Sequence, residues 1–340
     1  MKEILAASWL LLAANIVYAQ HQEVSEKPGM YKGKEVETVD TISLLSAFKR
    51  GHFNGHFRYF FMATHNKTGL SDYYAHAAGG GIRYETARFH GFQFVVSGFY
   101  TFNIGSSDLG KRDTITGQSS RYEIALFDVE NPYNKKDIDR LEEFYLSYHY
   151  KNFSITGGRQ LLNTPFINLQ DGRMRPTGVE GIWLEYNAPK KIRAEGGLLY
   201  AVSPRGTTKW YDIGQSLGVY PAGVNMDGTK SLYSNNINSK AVALLGLHVK
   251  AGKNLNIQVW DVYTDNVFNT AMVQADLWIP QKNNSSFFAG AQFTRQDAIN
   301  QGGNTDPAKT YFVKGGKSIS FGAKAGWKIR TGKPASTIPA

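Results

Sequence analysis

Three arginines and an aspartate crowd one stretch of this sequence. Arg159 follows Gly157-Gly158, and Asp171, Arg173 and Arg175 come after Pro165, with Gly172 and Pro176 around them. Guanidinium groups grip carboxylates bidentately, so the cluster suits transient orientation of an acidic solute. A structural reading competes with that one: Asp171 or Glu180 pairs with the arginines and pins the loop that carries them. Arg159 stands apart from the others, at the end of a strand.

Other chemistries find little support. The sequence holds no cysteine, which removes thiol nucleophiles, disulfides and thiolate metal sites. The eight histidines show no metal-ligand spacing, and His52 and His56 alternate along one apparent strand. Gly79-Gly80-Gly81 lies within a strand, where glycine relieves crowding, so it is no phosphate loop. No serine has an evident histidine base, and no cofactor is expected.

The elements that carry these charges have a period of two. Phe53, Phe57, Tyr59 and Phe61 alternate with His52, Asn54, His56 and Arg58. Residues 92–102, 141–150, 287–294 and 319–329 repeat the pattern, and weaker segments at 74–88, 153–160, 180–186, 191–200, 240–249, 255–263 and 268–279 bring the count to about twelve. One face of each strand is oily and the other wet. Each is near the nine to eleven residues that a tilted strand needs to cross an outer membrane. The basic residues Arg58, Arg83, Arg193, Lys240, Lys324 and Lys328 fall on the wet phase, beside Glu85, Glu143, Glu185 and Glu195. Facing lipid, an Arg or Lys costs roughly 2–4 kcal/mol at mid-membrane, so these side chains are expected to line a lumen. There each is either ion-paired, as Arg83 with Glu85, or part of a positive ladder that favours anions.

Connections alternate in length. Short turns at 88–91, 150–152, 187–190, 251–254 and 281–284 separate long polar loops at 64–73, 103–140, 161–179, 201–239 and 297–317, with 264–267 the one short member of the long set. That sorting predicts an all-β fold, a transmembrane antiparallel β-barrel. Lipid satisfies no open backbone edge, so such a sheet must close. A soluble sandwich has no reason to sort its loops strictly in turn.

The ends agree with export. Residues 1–19 read as a signal peptide, with Lys2, an apolar run from Ile4 to Val17, and the cleavage site Val17-Tyr18-Ala19 before Gln20. Residues 20–49 read as a periplasmic lead-in, and 50–340 as the barrel domain. No run of eighteen or more apolar residues follows, so no helical membrane span is expected. The formal charge of +10 suggests anions or anionic lipid headgroups; export excludes nucleic acid as a partner.

The opening stretch, through Gly158, Gln160, Asn163, Pro165, Asp171, Arg173, Met174, Pro176 and Gly181, resembles the OprD family of outer-membrane porins. Ala78-Gly79-Gly80-Gly81-Ile82-Arg83-Tyr84-Glu85-Thr86 and Glu142-Glu143-Phe144-Tyr145-Leu146-Ser147-Tyr148 are similar to further segments of that family. The likeness covers roughly residues 50–330. It implies a monomeric barrel of eighteen strands in the outer membrane of a Gram-negative cell, inserted by the barrel assembly machinery. A loop folded inward would narrow the pore for small hydrophilic solutes bearing a carboxylate, such as amino acids, small peptides or organic acids. On this reading the 161–179 loop forms the constriction, with Arg173, Arg175, Asp171 and Arg159 as its charged residues. The chain departs from the family at its end, where Pro334 and Pro339 argue against a strand and no final aromatic-terminated strand occurs. The expectation is a chain lacking roughly six strands, with a smaller closed barrel as the alternative.

Two other functions remain in view. A barrel-borne phospholipase would need a Ser and a His together on the lipid side near the outer rim. A surface adhesin or receptor would use the long loops 103–140 and 201–239.

Overall fold

Alternation of apolar and polar residues dictates a wall with two unlike faces, and the computed structural model shows one. It describes residues 40–134, 138–169, 173–188, 191–220, 223–225, 227–281 and 285–329. The expected signal peptide, most of the lead-in, and the tail after residue 329 lie outside the described residues. Among those described, no helix is long and apolar enough to cross a membrane.

Twelve long strands run in chain order: β1 (His52–Thr64), β2 (Tyr73–Glu85), β3 (Phe92–Ser106), β4 (Asp139–Tyr150), β5 (Phe153–Gln160), β6 (Gly178–Ala188), β7 (Ile192–Ser203), β8 (Val242–Ala251), β9 (Leu255–Thr264), β10 (Phe268–Pro280), β11 (Ser285–Ala298) and β12 (Lys317–Ile329). Each pairs antiparallel with the next. Among the described residues β1 pairs only with β2 and β12 only with β11, so the sheet is open between them. The strands match the period-two segments, β5 to the residue. One assignment moves: Lys240 precedes β8, in the loop, where its backbone N–H donates to Asp265 Oδ2 at 3.2 Å.

The outward face is oily along its whole width. Phe53 and Phe57 are each 75% exposed and Phe321 is 72% exposed. So large a contiguous apolar surface suits hydrocarbon rather than water. The strand ends that the short turns join gather at one end, and the short connection 264–267 lies at the other. In the turn between β2 and β3, His90 and Gly91 both take positive φ, 49° and 82°, as primed hairpin turns require. Helix α1 (Leu44–Lys49) docks at this end through the Tyr84 hydroxyl, which donates to Phe48 O at 2.6 Å.

The inward face supports two apolar clusters. One packs Phe99 and Ala77 of the wall against Leu109, Ile124, Leu126, Phe127, Ile138 and Met174 of the long loops. The other packs Trp183, Leu199, Leu244 and Trp260 of the wall against Leu162, with Ile167 beside it. Long loops therefore fold inward over both halves of the sheet. The long loop 103–140 is thus not polar throughout, because its apolar residues find their burial on the inner wall.

Candidate functional site: the inward face and its loops

A β-bulge places two consecutive acids on the inside. Register slips between Ser97 and Gly98, opposite Glu143 and Leu141, so Glu142 is the extra residue and both carboxylates are buried. Glu143 receives Arg83 Nε at 2.9 Å and the Ser97 hydroxyl at 2.9 Å. Arg83 also pairs with Glu85 and donates to the Tyr145 hydroxyl at 3.2 Å. The ion-paired reading of Arg83 is thus the one the structure carries. Arg58, on the same face of β1, stands beside His56 and is half-buried.

Glu142 turns to Arg140, whose Nη2 lies 3.1 Å away. Arg140 is fully buried and also donates to Pro176 O and to Ser203 O and Oγ at 3.2 and 3.0 Å. Arg175 lies nearby, 1% exposed, and donates to Ile138 O and Phe127 O, both at 3.2 Å. Burial, and the Arg140 guanidinium, push the Arg175 guanidinium down to about 9. Two buried arginines thus tie the loops that precede β4 and β6 to one another and to the end of β7.

Placement of the four candidate constriction residues follows. Arg175 is 1% exposed, donates to backbone carbonyls and does not line the cleft described below; its burial overturns that part of the expectation. Arg173, at φ 49°, crosses to the neighbouring loop and donates to Tyr122 O at 2.7 Å. Asp171 lies outside the described residues. Arg159 pairs across the strands with Phe144 and Glu180, on the outward face. Its Nε is 2.9 Å from Glu180 Oε2, and Trp210 covers it at 4.7 Å. Arg159 therefore belongs to the outer surface near the long-loop rim, not to the lumen. Gly158, at φ 125°, shapes the strand there.

What faces open space is different. A cleft of about 740 Å³ lies between Leu161–Pro165 and the inner faces of β6 to β12. Arg193 reaches it 46% exposed, 2.8 Å from Glu195 and 3.9 Å from Glu185. His248 Nε2 contacts the other oxygen of Glu195 at 2.8 Å. Lys324, 41% exposed, pairs with Asp276 at 3.2 Å. Lys328 sits nearer the short-turn end, 5.9 Å from the Trp278 ring. Between the charges stand Gln258, Gln274 and Gln292, to none of which the wet-phase reading gave a role. Among the described residues no group of three His, Asp or Glu side chains is placed to hold a metal.

Twelve antiparallel strands with lipid-like outer residues, short turns at one end and inward-folded loops at the other set the architecture. The model of the outer membrane porin OprD family matches residues 145–324, just over half of the chain. This chain belongs to that family. No curated protein matches its sequence. Solved structures share the porin's fold. OccD3 (OpdP) of Pseudomonas aeruginosa is 14% identical, with TM-score 0.51, over 73% of this chain and 48% of that one. A BenF-like porin from Pseudomonas fluorescens Pf-5 is 11% identical, with TM-score 0.58, over 83% and 65%. OpdK of Pseudomonas aeruginosa, solved with vanillate, is 12% identical, with TM-score 0.56, over 82% and 64%. The chain thus spans 48% to 65% of the length of these structures. The porin is an integral outer-membrane β-barrel protein, and its relatives are channels rather than enzymes. One Ser–His contact does occur, Ser147 Oγ to His149 Nε2 at 3.0 Å, but Ser147 is buried on the inner face, away from lipid.

Proposed function

We propose that this porin lets small hydrophilic solutes diffuse passively across the outer membrane, through a pore narrowed by the 161–179 loop, and that it favours solutes with a carboxylate. The observation that carries the reading is the pair of half-exposed cations on one cleft wall, Arg193 and Lys324. Lys324 and Asp276 form a part-exposed pair, so a solute carboxylate exchanges for Asp276 at little net cost. Arg193, held against the buried Glu195, is half-exposed and offers a solute its further guanidinium N–H donors without breaking that pair. Weak successive sites are what conduction requires. The vanillate bound to OpdK is itself a carboxylate, in keeping with this preference. In this account Arg173 and Arg175 shape the constriction from behind by fixing its loops, while Arg193 and Lys324 meet the solute.

Protein purified from outer membranes and reconstituted in planar bilayers tests the proposal. Discrete conductance steps are expected, and Arg193→Gln with Lys324→Gln should move the reversal potential towards cation preference. Conductance with an unmoved reversal potential removes the carboxylate preference; no conductance at all removes the pore.

A further inference from the structure

At one height of the wall, five consecutive strands place Arg193, His248, Gln258, Gln274 and Gln292 directly opposite one another across the sheet. Neighbouring strands are about 4.8 Å apart, so the three glutamines stand at even intervals along the cleft. Their amides are oriented by what surrounds them. Trp260 Nε1 donates to Gln258 Oε1 at 3.1 Å, which among the described residues leaves the Gln258 amide N–H groups unspent. Asp276, held by Lys324, accepts from Gln274 Nε2 at 2.6 Å. Gln274 Oε1 in turn accepts from Gln292 Nε2 at 3.2 Å, which among the described residues leaves the Gln292 carbonyl unspent. The ion pair Lys324–Asp276 thereby sets the polarity of a relay that ends on a free acceptor, with free donors two strands away.

Charge in this cleft is mixed: Glu185, Glu195 and Asp276 stand beside Arg193 and Lys324. A neutral solute is not penalised there by a one-sign field. A row of uncharged donors and acceptors matches a solute that offers both at every position, and hydroxyl groups do so. The cleft volume lies within the ordinary range for small-molecule sites.

We propose that the glutamine row is a binding track for uncharged polyhydroxyl solutes, that is, small sugars and polyols, which therefore cross without needing a carboxylate. The inference rests on the pore reading and extends its solute range. Gln258 donates to a solute hydroxyl and Gln292 accepts from one, while Gln274 is a positioning residue that fixes the direction of both.

Swelling of liposomes that contain the protein, driven by ribose or by leucine as a solute of similar mass without hydroxyls, reads the track. The native protein should admit ribose at least as fast as leucine. Gln258→Leu combined with Gln292→Leu should slow ribose about fivefold and leave leucine entry and single-channel conductance unchanged. Where the double variant does not assemble, Gln258→Glu, similar in size but without the free donors, should slow ribose selectively. Exclusion of ribose from conducting pores overturns the proposal, as does equal slowing of both solutes or no slowing of either. A protein that conducts nothing overturns the pore reading, and this one with it.

Discussion

Lys324 Nζ meets Asp276 Oδ1 at 3.2 Å across an intervening strand, and Gly290 is the residue that both side chains pass over. A Cβ at position 290 would lie 2.6 Å from Asp276 Oδ1 and 2.8 Å from Lys324 Cε. The bridge therefore depends on a missing side chain in the middle of β11. A half-exposed pair of this kind contributes about 0.2–1 kcal/mol. A double-mutant cycle with Asp276→Asn and Lys324→Gln should give a coupling in that range. In a Gly290→Ala background the same cycle should fall towards zero.

Arg140 is a buried cation with a buried partner. Arg140→Met leaves the Glu142 carboxylate without its guanidinium and should cost about 3–5 kcal/mol. Urea unfolding from lipid vesicles measures it. Arg175→Met removes no ion pair and should cost less. It does free the carbonyls of Ile138 and Phe127, so single-channel recordings should show more open-state noise as the loops loosen.

Gly158 has no tolerable replacement. At φ 125° an L side chain is strained, and its Cβ would fall on the Phe144 carbonyl oxygen of β4. Gly158→Ala should cost about 1–3 kcal/mol and displace Arg159 from Glu180. Heat-modified mobility on electrophoresis, which distinguishes folded from unfolded barrels, should show a lower folded fraction.

Acid should loosen the outer loops through Asp113. Its two carboxylate oxygens accept from the backbone N–H groups of Ser71 at 2.7 Å, Thr116 at 2.8 Å and Ile115 at 3.0 Å, and from the Thr116 hydroxyl at 3.1 Å. These bonds hold the carboxyl well below the usual range, the Thr116 and Ser71 amides above all. A carboxyl depressed in the folded state stabilises fully above its unfolded value of about 3.9, and that stabilisation is lost as pH falls through the folded value. Amide exchange at Ser71 and Thr116 should therefore quicken as pH drops below about 4, beyond the intrinsic pH effect. Asp113→Asn should abolish that added dependence.

Much of the wall was legible from residue order. In β12, Ile319, Phe321 and Trp327 alternate with Ser320, Lys324 and Lys328, and lipid on one side with water on the other leaves no other arrangement at low cost. The strand phases of Arg58, Arg83, Arg193, Lys324 and Lys328 followed from the same rule. Lys240 did not, because it lies beyond the strand, where a period of two has no meaning.

The arginine cluster shows where local reading stops. Arg173 and Arg175 are two residues apart and look alike, yet one reaches Tyr122 from the surface and the other is sealed against Phe127 and Ile138. Their partners come from a loop 37 to 51 residues earlier, which no spacing within the stretch encodes. Arg159 was misplaced for a related reason: only its pairing with Phe144 and Glu180 tells which face it takes. The row from Arg193 to Gln292 is the same lesson with the opposite outcome. By itself, the sequence determined that the chain is a membrane wall with a wet inner face, because solvent and lipid act on each strand separately. Only tertiary structure decided which wet residues stand side by side over the pore, because register between strands is set by hydrogen bonds and turns that bring distant segments together.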